Sequence, residues 1–538
     1  MLMESTGSPT ATAERESPLA TTPTLQSRRT ILAGGLTAAL AAATGMASAQ
    51  QMLGKGRTGA NLPGAKPPGG NGFGNSGNRF GSSGGAGVTN VGRFWTDVNK
   101  RLLRRVTYGP TQADLTELTT LGYDAYLEKQ LNWESIDDSV CESWVSANCP
   151  RLQLSLLQLN QYQGPNSWPT MYQLKNALAY RAIFSKRQLL QRMSEFWGDH
   201  FYLNEKPYYG GVMDYYRGQR NLAMTTFYDQ LVWSANHGAM MDYLDNRGSV
   251  AGSINVNYAR EILELHTVTP ASGYTEADIY EVANILTGWG TPSREGDPLH
   301  TGIFEYTDSA HAPGTRTVMG HSFPQSGKAQ GDAFLTWLAT HPYTVYNICS
   351  KLCRFFLGRD PDAGLLQSLG NAWGPKGDIK ALLRIILSSN QMQKSVPKFK
   401  RPFHLVVGSI RQLGLYVNEP SGILNQIAEM SHEPYKWEQP DAYPDSFVHW
   451  STSMVQRLNF GLGISNGQVW SVEWFDPAVF QNMSDPQRMD WINQKLFLGE
   501  LPVSDQIWFR RYMKGSNSTE RGRNALAMAL ASPAHQWF

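Results

Sequence analysis

Two stretches of the chain concentrate side chains that could ligate a metal ion or move protons. Residues 192–201 hold Glu195, Asp199 and His200. Glu195 and Asp199 are spaced i, i+4, so a helix would present both carboxylates on one face, with the His200 imidazole following directly. Such a set can ligate a metal or divide acid and base roles. The same residues also suit an ordinary helix end, with Gly198 weakening the helix and Asp199 and His200 capping a turn. Residues 255–267 carry Arg260, Glu261, Glu264 and His266. Glu261 and Glu264, at i, i+3, form a carboxylate stripe. Arg260 is placed to pair with Glu264, and His266 lies at the helix end, where the dipole favours a cation. One reading makes Glu261, Glu264, His266 and His200 a catalytic set, with His200, Asp199, His266 and Glu264 as ligands of a transition metal. The other makes the second stretch a surface salt-bridge face closed by a histidine.

Other residues are pocket candidates. Thr275 is a natural N-cap with Asp278 three positions on, which explains that acidic residue by capping. His300, His311 and His321 fall in a loop-rich stretch without compact ligand spacing, and His311, near Asp308, is the one to follow. Between Pro440 and Pro444 lie Asp441 and Tyr443, in a rigid loop that could line a pocket or cover the core. No nucleophile elbow, phosphate-binding glycine loop, His-Glu-x-x-His helix or haem-attachment cysteine pair occurs.

These residues must be held by helices. Ile379, Leu382, Leu383, Ile386 and Leu387 follow helical spacing behind Asp378, and Phe403, Val406, Val407 and Ile410 do so before Gly414. Residues 95–106, 111–129, 172–198, 257–267, 276–288, 342–356, 485–497 and 520–531 also read as helices. Sustained period-two alternation is missing, which argues against a large sheet. Residues 290–328, rich in Gly, Pro and Thr, suit a long loop or a small hairpin. The expected fold is mainly α: a large multi-helix, single-core globular domain over 92–538 with a loop-rich insertion.

The 538 residues include 16 Trp, 23 Tyr and 21 Phe, enough to bury a sizeable core, and the net charge of +2 shows no basic excess of the kind nucleic-acid binding needs. Arg28 and Arg29 precede an apolar run ending at Ala47-Ser48-Ala49, the pattern of a cleavable twin-arginine export signal over residues 1–49. A Gly-rich tether over 50–91 follows. Later segments lack the length of apolar sequence a transmembrane helix needs. The expected location is the periplasm or the exterior, where disulfides are permitted. Cys141 and Cys149 could bridge a local loop, whereas Cys349 and Cys353, at i, i+4, suit packing.

Several ordered blocks resemble the exported bacterial family catalogued as domain of unknown function 1800. They are Leu103-Arg104-Arg105 with Tyr108-Gly109-Pro110, Phe196-Trp197 with His200-Phe201, Tyr243-Leu244-Asp245, and the stretch from Asn257 to Trp289. Further blocks are His341-Pro342 with Lys351-Leu352, Lys400-Arg401-Pro402-Phe403, and Pro440-Asp441 with Tyr443-Pro444-Asp445. The resemblance implies a largely helical, exported protein. It also implies a co-encoded exported partner resembling domain of unknown function 1501. It carries over no general activity. Three positions depart from the family's usual pattern: Gly198 where a second histidine is common, Val256 where an acid is common, and Ala312 where an aspartate often follows the histidine.

Two functions remain open on this reading. One is an exported enzyme with a carboxylate–histidine, metal-assisted centre, acting in the cell envelope or on an extracellular polymer. The alternative is a non-catalytic envelope or surface protein that binds polysaccharide or assembles with the co-encoded partner.

Overall fold

A computed structural model describes residues 95–162, 167–205, 209–291, 302–511 and 513–538. The export signal read over 1–49, the tether over 50–91 and His300 lie outside these residues. The fold is mainly α, with two small antiparallel hairpins. Among the described residues no helix is long and apolar enough to cross a membrane.

Most helices form where periodicity and caps place them. Asp378 caps Ile379–Ile386 through the Ala381 amide at 2.9 Å, and Pro402–Leu413 ends at Gly414 in the left-handed region. Thr275 and Asp278 form a reciprocal capping box at the start of Glu276–Ile285, and Asp278 also accepts from the Met319 amide at 2.6 Å. The insertion carries both hairpins: Trp289–Gly290 pairs with Glu305–Tyr306, and Arg316–Val318 with His321–Phe323.

Three expected helices are interrupted, each for a local reason. The 111–129 stretch forms Gln112–Leu121 and Tyr123–Leu131, broken at Gly122, whose φ of 85° leaves the helical region. The 172–198 stretch forms Trp168–Phe184 and Gln188–His200. Buried Asp138 stabilises the break by accepting from the Ser185 hydroxyl at 2.6 Å and the Lys186 amide at 2.7 Å. The 257–267 stretch begins as α over Asn257–Glu261 and widens to a π-turn over Ile262–His266. Such single turns change the angular register of whatever follows them.

The interior gathers into two large apolar clusters and a small one. The first includes Leu102, Trp197, Phe227, Trp289, Phe334 and Leu383. The second includes Tyr108, Phe403, Val407, Phe460, Ile492 and Leu526. Phe399, Tyr443 and Trp450 form the third. The chain at 108–109 presses on Pro402–Leu413 with glycine on both sides. A Cβ at Gly408 would lie 2.4 Å from the Tyr108 carbonyl oxygen, and one at Gly109 would lie 2.4 Å from the Gly408 carbonyl oxygen. All four cysteines are buried and free, so the Cys141–Cys149 bridge considered from spacing does not form here.

Candidate functional site

A cleft of about 340 Å3 opens between Trp168–Phe184, Gln188–His200 and Tyr209–Asn221, with Arg401, Phe403 and the 432–443 segment on its other side. Gln191, Ser194, Glu195 and Gly198 follow i, i+3, i+4, i+7 spacing and line it together with Asp199, so a full face of the Gln188–His200 helix forms one wall.

Asp199 and Arg401 form its charged centre. Arg401 pairs with Asp199 and reaches Glu195 Oε1 at 3.9 Å and Asp445 Oδ1 at 3.7 Å. Its guanidinium is buried, yet the surrounding Asp199, Asp445 and Glu195 raise its pKa above the ordinary arginine value. Glu195 also pairs with Arg192, which is sandwiched against the rings of Tyr108 and Phe355 at 4.9 and 4.6 Å. Burial pushes the Asp199 carboxyl up to about 6, Arg401 pulls against that, and Glu195 adds to it. About a quarter of the Asp199 side chain (26%) stays exposed, so a ligand can reach it. Asp445 goes the other way: although burial opposes it, Lys398 and Arg401 hold it down at about 2.

The opposite wall is aromatic and conformationally strained. Ser431, Tyr435 and Ala442 have φ values of 63°, 66° and 59°. Non-glycine residues in this region cost of order 1–3 kcal/mol each and persist only where surrounding contacts hold them. The Tyr435 carbonyl accepts from the Glu205 amide at 2.9 Å, and the Tyr435 ring lies 4.3 Å from that of Tyr216. Tyr443, one of the pocket candidates, lines the cleft, and its hydroxyl donates to the Glu433 carbonyl at 2.6 Å. His432 lines it too, but its Nδ1 accepts from the Phe403 amide at 3.2 Å, and burial holds the ring well below its ordinary pKa.

The nominated catalytic set of His200, Glu261, Glu264 and His266 does not line this cleft. His200 points inward. One tautomer satisfies both its nitrogens: Nε2 donates to the His266 carbonyl at 3.1 Å, and Nδ1 accepts from Lys351 Nζ at 3.1 Å. Lys351 also donates to the Leu265 carbonyl at 3.2 Å, and burial lowers it to about 8. The His266 ring is buried with neither nitrogen bonded, and burial, helped by Lys351, drops it to about 3. Both rings are therefore neutral parts of the interior.

Glu261, just before the π-turn, and Glu264, within it, stay half-buried. Burial, reinforced by Glu264, raises the Glu261 pKa. Arg260 does not take Glu264 as its partner. It forks onto Glu276 at 2.8 and 2.9 Å, because the 276 helix packs alongside and offers both oxygens. Asp278 is a cap, as described above. His311 Nδ1 faces the Thr287 carbonyl at 3.1 Å, and Asp308 takes the Tyr306 hydroxyl instead. Asp441 is exposed and accepts from Trp437 Nε1 at 2.8 Å.

A transition metal does not fit the residues nominated for it. Asp199 faces the cleft and Arg401, His200 and His266 face the interior, and Glu264 sits apart from them. Among the described residues no three His, Cys, Asp or Glu side chains come together as a metal ion requires.

Residues brought into the cleft without being singled out beforehand include Arg401, Tyr216, Gln219, Arg220, His432 and Tyr435. The stripe from Gln191 to Gly198 carried a helical signal. Tyr216, Gln219 and Arg220 share one face of the next helix at i, i+3, i+4, whereas Arg401, His432 and Tyr435 come from distant segments whose convergence has no local signature.

No curated protein and no solved structure matches the chain. The family model described as Protein of unknown function (DUF1800) matches residues 101–537, and with nearly the whole folded region covered, the chain belongs to that family.

Proposed function

We propose that this is an exported enzyme that works by carboxylate proton transfer in the cell envelope or on an extracellular polymer, with Asp199 as the proton donor. The observation that carries this reading is the pair of carboxylates Glu195 and Asp199 on one helix face of the cleft, with Asp199 against Arg401 and still partly open to solvent; burial pushes the Asp199 carboxyl up to about 6. Protonated Asp199 would give its proton to a leaving oxygen, and Arg401, already in contact, would stabilise the carboxylate left behind. Glu195, on the same helix face, is the second carboxylate, available to take a proton from a water that forms the new bond to the polymer as the bond to the leaving oxygen breaks. The enzyme needs no metal in this reading, which replaces the histidine-centred set with Asp199, Glu195 and Arg401. Export through the twin-arginine route rests on Arg28 and Arg29 and the cleavage pattern after them.

The test is release of soluble fragments from isolated envelope and extracellular polymers, followed by mass spectrometry, with wild type beside Asp199→Asn. Wild-type release that falls at least a hundredfold in a folded Asp199→Asn protein is the expected result. Equal release by both would remove Asp199 from the chemistry.

A second reading, assembly with a co-encoded exported partner, is favoured by one surface feature. Val455, Leu458 and Leu462 are 66%, 41% and 40% exposed at i, i+3, i+7 on the Met454–Ser465 helix, an apolar stripe facing solvent. Co-expression of the two exported proteins with and without Val455→Glu and Leu458→Glu tests it by co-purification.

A further inference from the structure

Two arginines of the cleft share one carboxylate. Arg181 forks onto both oxygens of Glu142 at 2.9 and 2.6 Å, which leaves Arg220 a longer contact to the same group at 3.3 Å. Arg220 also donates through Nε to Gln191 Oε1 at 3.3 Å, and among the described residues its Nη1 has no hydrogen-bond partner. Asp138 also acts on Arg220, but it accepts from the Ser185 hydroxyl and the Lys186 amide. Asp214 is taken by Arg217 and His237. Two guanidiniums against one carboxylate therefore leave one positive charge in excess. Burial, with Arg181 adding to it, lowers Arg220 to about 9, as expected of a cation crowded by another. Its side chain lines the cleft and stays 17% exposed, so a ligand can reach it.

This excess does not depend on the state of Asp199. Arg401 faces Glu195 and Asp445 as well as Asp199, and none of the three pairs with Arg181 or Arg220. Protonating Asp199 removes a negative charge from the cleft, so the acid form of the site favours an anion further.

Neutral donors stand beside the two arginines. Gln219, next to Arg220 in the chain, is 1% exposed and lines the cleft, and its Nε2 has no hydrogen-bond partner. The Tyr202, Tyr216 and Tyr443 hydroxyls each donate to a main-chain carbonyl. The Tyr435 hydroxyl has no such partner among the described residues, and Arg181 stands close enough to act on it. A guanidinium with an unused nitrogen, an unpaired amide and an unpaired phenol are the donors that a singly charged oxyanion takes.

Gln191, which Arg220 touches, stands two turns before Asp199 on the Gln188–His200 helix, about 12 Å along its axis. A polymer lying in the cleft can therefore place a charged group at Arg220 and its reacting bond at Asp199. We propose that the cleft binds an anionic polymer through the carboxylate or phosphodiester of one unit, held by Arg220 and Arg181 with Gln219 and Tyr435 as neutral donors. As a substrate class this rests on the acid role given to Asp199; as a binding site it stands on the arginine pair and the unpaired donors.

The test is calorimetric titration of the full chain with hexagalacturonate, with a hexamer of glycerol phosphate and with neutral maltohexaose. The expected result is that at least one anionic hexamer binds about tenfold or more tighter than maltohexaose, and weakens severalfold between about 0.05 and about 0.5 M salt. Which hexamer binds tells carboxylate from phosphodiester. Arg220→Gln should weaken binding about tenfold or more, and Gln219→Leu about fivefold. Glu142→Gln should tighten it, because the shared carboxylate competes with the ligand for both guanidiniums; an arginine pair that serves the fold alone predicts no gain. If Arg220→Gln does not fold, Gln219→Leu, whose side chain makes no hydrogen bond in the free protein, still decides. Binding of neither anion, equal binding of maltohexaose, or anion binding that Arg220→Gln and Gln219→Leu leave unchanged overturns the proposal. Asp199→Asn separates the two readings, since it should bind the anion at least as tightly as wild type while releasing no polymer fragments. Anion binding with fragment release unchanged by Asp199→Asn removes the acid and keeps the binding site. Asp199-dependent release from neutral polymers alone removes the binding site and keeps the acid.

Discussion

Asp199 and His200 are neighbours in the chain, yet Asp199 opens onto the cleft and pairs with Arg401, while His200 turns into the interior and bridges Lys351 and the His266 carbonyl. One residue along an α-helix is a rotation of about 100°. That rotation is enough to give the two side chains different dielectric surroundings and separate roles.

Asp199 should titrate near pH 6, and stability should register it. Its folded pKa is raised above the unfolded value, so its contribution is full below pH 4 and is lost as pH rises through 6. Asp199→Asn should remove this component from the pH dependence of the thermal midpoint between 4 and 7. Turnover assigned to the protonated carboxyl should fall above pH 6 in the wild type.

Lys400 should act with the opposite sign at higher pH. It is 6% exposed, and burial, aided by Arg104 and Arg457, lowers it to about 7. The unfolded chain binds its proton more tightly, so stability should rise as pH climbs from 7 toward the ordinary lysine value. Thermal melts from pH 7 to 9.5 should show that rise, and Lys400→Met should flatten it.

The crossing at Gly408 should tolerate no side chain. A Cβ there would lie 2.4 Å from a backbone oxygen that cannot rotate away. Gly408→Ala should destabilise by about 1–3 kcal/mol or more, measured by denaturant unfolding. Gly198→Ala, whose Cβ meets only ordinary contacts, should stay within about 0.5 kcal/mol of wild type.

The cysteines should be silent until the chain unfolds. Burial pushes Cys141, Cys349 and Cys353 up to about 12 and Cys149 to about 11. A thiol reagent at pH 8 should label none in the native protein and all four in denaturant without reductant. Two labelled thiols in place of four would show a disulfide.

The sequence by itself determined the helical character, the caps at Asp378 and Thr275, the helix end at Gly414 and, through its ordered blocks, the family, while it left the 290–328 insertion open between a long loop and a small hairpin. Each of these depends on residues close in the chain, whose spacing, φ preference or capping geometry acts within a turn or two. Tertiary structure decided the rest. Glu195 and Asp199 were legible as a carboxylate face, but not the Arg401 that polarises it from 202 residues away. Arg260 had a plausible local partner in Glu264, and a neighbouring helix supplied Glu276 instead. His266 looked available until the π-turn and the packing of Lys351 enclosed it. Charge pairing and desolvation depend on distance through space, and a chain that folds back on itself sets those distances between segments that carry no local record of each other.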